Sequence, residues 1–215
     1  MIKPIEEGYL TFTFEENTWM FAKKYDELTE YENMNKALDL GLTDKEEKVK
    51  NSGIDILALD KNKKLYLIEI KDPRLDESEN ADRKWDVEVA KKIKDTVSGI
   101  VGFSNTSDKL KKEFRNSLSC FLSNNFAVIF WLESSRISEK EKSYAIRRDR
   151  NFVGFSSWQK NLQKRLKWLT TNISLANAET YHNDFIGLKV EDKWRKGVNK
   201  HEVHKPRPKK RDKNN

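Results

Sequence analysis

Residues 53–71 read Gly-Ile-Asp-Ile-Leu-Ala-Leu, then Asp-Lys-Asn-Lys-Lys, then Leu-Tyr-Leu-Ile-Glu-Ile-Lys. Two short apolar runs around a polar break predict a β-hairpin. Pro73 ends the second run, because proline donates nothing to a ladder. Side chains alternate along a strand, so Glu69 and Lys71 share one face and Ile68 and Ile70 the other. Asp55 lies in a similarly apolar run. Burying two carboxylates and an ammonium is costly unless they are paired or bound to a metal. Directly opposed residues share a face, so the three converge only if Asp55 faces Glu69 or Lys71. Pairing Asp55 with Glu69 sets Asp60 opposite Lys64 and leaves a three-residue loop, Lys61 to Lys63. A two-residue Asn62-Lys63 turn would place Asp55 opposite Ile70, on the wrong face. The odd-length loop is therefore expected. Leu57, Leu59, Leu65 and Leu67 fall on the same face as the acids, which makes it an unusual surface and an ordinary core. Two oxygen ligands beside one cation suit a hard divalent ion such as Mg²⁺, which keeps several waters.

Outward from the hairpin, Tyr9 to Phe14 predicts a strand, and Glu15 to Asn17 cap a helix running to about Asp39 and stopping at Gly41. Lys45 to Ser52 reads as a polar linker and Asp76 to Lys84 as a charged loop. Ala90, Ile93, Val97, Ile100 and Val101 repeat at helical spacing from Trp85 onward. Leu110 to Leu122 predicts another helix, and Phe126 to Leu132 (FAVIFWL) a strand buried on both faces. Ser134 to Arg150 is a charged excursion. Phe155, Trp158, Leu162, Leu166 and Leu169 predict a late helix, followed by strands at Ile173 to Ala178 and Phe185 to Val190. This order predicts an α/β fold around one mixed sheet flanked by helices.

The 215 residues hold 42 Lys and Arg against 35 Asp and Glu, a net charge of +7, and 36% are charged. From Lys193 onward ten basic residues face only Glu202 and Asp212, a net of +8, so the other 32 basic and 33 acidic residues leave the rest at −1. The organisation expected is one domain over 1–192 and a disordered basic tail over 193–215, two prolines included. Such a tail, with Lys209, Lys210 and Arg211 at its centre, can tether a phosphate backbone with steep salt dependence. Trp194, at its root, is the tryptophan placed to stack on a base. One Cys and three His exclude a disulfide framework and the usual zinc clusters. Cys120, among apolar neighbours, reads as a core thiol. No run approaches a membrane span, and Met1 to Glu7 lacks a signal peptide's apolar run, so a soluble, cytoplasmic protein is expected. Serine-hydrolase, P-loop and dinucleotide motifs are absent.

At Gly53-Ile54-Asp55, Ile68-Glu69-Ile70-Lys71 and the helix from Trp85, the sequence resembles the PD-(D/E)xK nuclease superfamily, whose signature is an acid in one strand, E-x-K in the next and a helix after. The resemblance covers roughly residues 15–133 and implies a restriction endonuclease-like core. It implies that Asp55 and Glu69 bind Mg²⁺, with Mn²⁺ substituting, and that the carbonyl of Ile70 is a further ligand. Lys71 would orient or deprotonate the attacking water and offset charge on the scissile phosphate. A fourth acid commonly comes from the first helix, where Asp26 shares a face with Trp19 and Ala22 and competes with Glu30. Lys92 is a candidate phosphate contact. Glycine and isoleucine stand before Asp55 where the family has proline.

The activity expected is hydrolysis of phosphodiester bonds in DNA, by a homodimer or as the nuclease subunit of a larger, defence-type system. The alternatives are an RNA nuclease and an inactive nuclease-fold subunit that binds nucleic acid or a protein partner.

Overall fold

The computed structural model describes residues 2–38, 52–72, 84–133, 159–183 and 185–194. The polar stretches expected at 45–52 and 76–84, but for Ser52 and Lys84 themselves, the excursion at 134–150, and the tail beyond Trp194 with Lys209, Lys210 and Arg211, lie outside them.

The protein is mixed α/β, with two sheets. Strands β3 (Trp19–Lys24), β4 (Ile56–Asp60), β5 (Leu65–Lys71), β6 (Phe126–Leu132) and β7 (Ile173–Ala176) form a five-stranded sheet in chain order. Its first three strands are antiparallel and β5, β6 and β7 are parallel. A three-stranded sheet, β1 (Ile5–Glu7), β2 (Leu10–Phe14) and β8 (Leu188–Asp192), joins the two ends of the described chain. Among the described residues the helices are α1 (Thr29–Leu38), α2 (Trp85–Thr106), α3 (Lys111–Leu122) and α4 (159–166). No helix among the described residues is long and apolar enough to cross a membrane.

The large sheet has a core on each face. Leu57, Leu59, Leu65, Leu67, Val128 and Phe130 pack against the helices, while Ile56, Ala58, Tyr66, Ile68, Ile129 and Trp131 pack against the small sheet. The alternation read from 53–71 is thus the partition between two cores. Leu57, Leu59, Leu65 and Leu67 are each at most 1% exposed. Each such side chain contributes about 1.5–3 kcal/mol relative to an exposed one. The FAVIFWL strand is buried along its whole length, as two-sided packing requires.

The hairpin register is the expected one. Ile56 faces Ile68 and Leu59 faces Leu65, so the series runs through Asp55 to Glu69 and through Asp60 to Lys64. The Asp60 amide donates to the Lys64 carbonyl, and Asp60 Oδ1 accepts the Lys64 N–H at 2.8 Å. Lys63 takes the left-handed conformation (φ 62°), as the third residue of such a loop does.

Three expectations are corrected. The segment after Asn17 is strand β3, not a helix, and helix begins only at Thr29. A bulge between Trp19 and Phe21 lets Trp19 and Ala22 face the same inter-sheet core while Phe21 faces the helices. That spacing of three imitates a helical stripe. Second, one mixed sheet becomes two, with β8 at Leu188–Asp192. Third, the buried face of α2 is Val89, Ile93, Thr96, Ile100 and Phe103, with Val101 46% exposed and Ala90 and Val97 at the margin. Cys120 is a core thiol as expected, buried and donating to the Lys63 carbonyl.

Candidate active site

The site forms where β5 outruns β4. The β4–β5 ladder ends at Ile56 and Ile68, so the next amide of β5 on that edge, Ile70 N–H, has no strand partner there. The Asp55 carboxylate fills the gap, with Oδ2 accepting that N–H at 2.6 Å. In an extended strand the N–H and C=O of one residue point to the same side, so the Ile70 carbonyl lies on the edge that Asp55 occupies. The other edge of β5 is closed by β6, whose following residue Glu133 donates its N–H to the Lys71 carbonyl.

Several contacts fix the start of β4. The Tyr25 amide donates to the Asp55 carbonyl, the Ile54 amide to Thr96 Oγ1, and the Gly53 amide to the Tyr31 hydroxyl. Tyr25 packs so closely that a Cβ on Gly53 would lie 2.7 Å from its ring, and one on Gly99 would clash with its hydroxyl. Glycine at these positions lets β4 and α2 close on Tyr25, which sets Asp55 beside β5.

Glu69 has no exposed surface. Its Oε1 lies 2.9 Å from Lys71 Nζ and 2.7 Å from Lys92 Nζ, and Lys92 also reaches Asp55 Oδ1 at 3.4 Å. Lys71 has a second acid, Glu88, at 3.8 Å. Among the described residues the buried Oε2 of Glu69 has no hydrogen-bond partner. Burial, and after it the Asp55 charge, pushes the Glu69 carboxyl from its ordinary 4.5 up to about 7 against the pull of Lys92 and Lys71. Burial opposes the charge on Lys92, but Glu69 and Asp55 outweigh it and hold the ammonium above its ordinary range.

Asp26 reaches the site by a route other than the one expected. It lies in a 3-10 turn (Tyr25–Glu27) between β3 and α1, where the Tyr25–Asp55 backbone bond brings it near. Burial, then Asp55, pushes its carboxyl from 3.8 up to about 6, and its buried Oδ1 lacks a hydrogen-bond partner among the described residues. Its competitor Glu30 accepts the Ser107 hydroxyl at 2.7 Å. Among the described residues no three His, Cys, Asp or Glu side chains are arranged to hold one ion. The oxygen donors at the site are thus the Asp55 and Glu69 carboxylates and the Ile70 carbonyl.

The structure therefore brings Asp55, Glu69, Lys71 and Lys92 together and sets Asp26 beside them. From the sequence Lys92 reads as a solvated lysine or a candidate phosphate contact, and its contact with the acids is missed. Its place one turn after Glu88 and three residues after the buried Val89, at the margin of the apolar face, is the signal that could have found it.

The raised carboxyls predict a pH effect. Glu69 and Asp26 bind protons more tightly folded than unfolded, so their contribution favours the folded state at low pH and is lost as pH rises from about 4 to about 7. Urea midpoints of the wild type and of the Glu69→Gln, Asp26→Asn double variant, compared across that window, should show the wild type losing ground as pH rises. A pH-independent difference would contradict the burial of these groups.

No protein-family model, curated protein or solved structure matches this chain.

Proposed function

We propose that the chain is a divalent-cation-dependent nuclease of the PD-(D/E)xK type, with a restriction endonuclease-like core, that hydrolyses phosphodiester bonds of DNA. The observation that carries the reading is the meeting of Asp55, Glu69 and Lys71 at the end of β5, with the acid just before one strand, E-x-K in the next and α2 following.

The donor set fits the ion. A buried carboxylate oxygen without a partner, a second carboxylate and a backbone carbonyl are hard oxygen ligands, and Mg²⁺ is commonly held by one or two carboxylates plus water. Asp55 and Glu69 would hold it, with the Ile70 carbonyl beside them; Mn²⁺ would substitute. When bound, the ion supplies acidity to an attacking water and neutralises charge on the phosphoryl oxygens. The chain's own residues do the rest. The Ile70 amide fixes the orientation of Asp55. Lys71, held by Glu69 and Glu88 and only partly exposed, keeps its ammonium at the rim, where it orients the water and offsets the growing charge as the phosphorus–oxygen bond breaks.

Charge elsewhere supports a nucleic-acid partner. Residues 159–169 contain Lys160, Lys164, Arg165 and Lys167 and no acid. The three lysines are exposed along α4 and the turn after it, next to exposed Trp168, and Arg165 ties the helix to Asp86 of α2 at 2.6 Å. Lysines at this spacing line one side of a helix and can track a phosphate backbone. Cutting both strands of a duplex would require two copies of the chain or a partner subunit.

One observation favours a second reading, a nuclease-fold subunit that binds without turnover: Lys71 and Lys92 already balance Asp55 and Glu69. The discriminating experiment incubates the purified chain with supercoiled, linear and single-stranded DNA, and with RNA, in Mg²⁺ or Mn²⁺ with and without EDTA. Cleavage of DNA that EDTA abolishes is the expected result. Binding without cleavage under every condition would favour the second reading, and cleavage of RNA alone would move the substrate.

A further inference from the structure

We infer that Lys92 is a built-in counter-cation occupying the seat between Asp55 and Glu69, so that a divalent ion can load only when the Lys92 ammonium moves out. This rests on the proposed metal site. Asp55 Oδ2 is engaged by the Ile70 amide at 2.6 Å, and Oδ1 is the oxygen that Lys92 reaches. Lys92 Nζ lies against that Oδ1 at 3.4 Å and against Glu69 Oε1 at 2.7 Å. An ion held by the two carboxylates would compete with an ammonium that already touches both. Two cations at van der Waals separation in a partly buried site repel strongly, so they exclude one another.

The position of Lys92 permits the exchange. Its side chain is 20% exposed, so one end of the seat opens to solvent, and an ammonium on a four-carbon stem leaves by rotation of side-chain torsions alone. Glu88, one turn earlier on α2 and half exposed, stands at the spacing that receives a lysine on a helix surface. Lys71 differs. It contacts Glu69 Oε1 and Glu88, has no contact with Asp55 among the ion pairs of the described residues, and follows Glu69 on the same strand, β5. Of the two amines, Lys92 is the one that blocks the ion, and its charge keeps two buried carboxylates compatible with folding in the ion's absence.

The test measures Mn²⁺ binding to the full chain by electron paramagnetic resonance of the free ion, for wild type, Lys92→Gln, Lys92→Arg and Asp55→Asn. Removing the competing charge should tighten Mn²⁺ binding by about tenfold or more in Lys92→Gln, because breaking a buried ion pair no longer opposes loading. Lys92→Arg, which keeps the charge, should remain weak, and Asp55→Asn should lose binding. Melting curves supply a second readout: Lys92→Gln should melt lower than wild type without ion and gain more from added Mn²⁺. Equal or weaker Mn²⁺ binding by Lys92→Gln, with wild-type binding still abolished by Asp55→Asn, overturns the role of Lys92 and leaves the metal site standing. Absence of Mn²⁺ binding in both wild type and Lys92→Gln overturns the metal site and this inference with it. A Lys92→Gln chain that is unfolded and not restored by Mn²⁺ also overturns it.

Discussion

Glu69→Gln is expected to abolish cation-dependent cleavage, lowering the rate about a thousandfold or more, in a chain that still folds. Glutamine keeps the shape but removes the charge that would bind the ion and that anchors two ammonium groups. A single preorganised electrostatic partner of the transition state is worth about 10²–10³ in rate, and a metal ligand also sets occupancy. Folding should survive, because this carboxylate is fully buried and its carboxyl is pushed up to about 7. Burying an amide costs less than burying a charge, which offsets the lost ion pairs. Asp55→Asn should behave likewise, since its amide oxygen can still accept the Ile70 N–H. Initial cleavage rates with circular dichroism on the same preparations check this. Glu69→Gln activity within about tenfold of wild type would remove Glu69 from the chemistry.

The largest stability effect is expected at Trp131→Ala, about 3–5 kcal/mol, the cost of deleting a large core aromatic. Trp131 is fully buried on β6, on the face away from the site. It stands edge-on to Phe12 of the small sheet at 4.9 Å and beside Tyr181 at 5.5 Å. Its Nε1–H also donates to Glu133 Oε1 at 2.9 Å, an oxygen that holds the Ala178 amide too. The residue thus ties the two sheets together, and alanine would leave a cavity and loosen the Glu133 carboxylate. Urea denaturation measures the loss, and Trp131→Phe, which keeps most of the packing, should lose less. A loss below about 1 kcal/mol for alanine would contradict the packing of one sheet on the other.

What was legible in the sequence follows from how local each signal is. The hairpin register was readable as far as an odd loop with Asp55 opposite Glu69 or Lys71, because a period of two must bring three charged groups to one face; the structure takes the first, with Asp60 and Lys64 closing the loop. Strand β6 was readable because seven apolar residues without alternation, rich in aromatic and β-branched side chains, are short for a helix and suit a strand covered on both faces. Strand β3 was not, because a bulge at Trp19/Phe21 gives a strand the apolar spacing of a helix. Asp26 therefore reached the site on a turn after a strand and not on a helix. The small sheet joins Leu10 to Asp192, a pairing between distant parts of the chain that leaves no local pattern, and β1 is only three residues long. Lys92 was visible as a residue but not as a contact: a rotation of the α2 stripe by one position separates a solvated lysine from one facing Asp55 and Glu69.

The central claim, that Asp55 and Glu69 form the seat of a divalent cation, is tested most directly by anomalous diffraction from crystals grown with Mn²⁺. The account predicts one anomalous peak within about 2.0–2.4 Å of a carboxylate oxygen of each residue, the contact distance of a hard cation to oxygen. A fully soaked crystal with no peak between them, Glu69 still closed on Lys71 and Lys92, would contradict it.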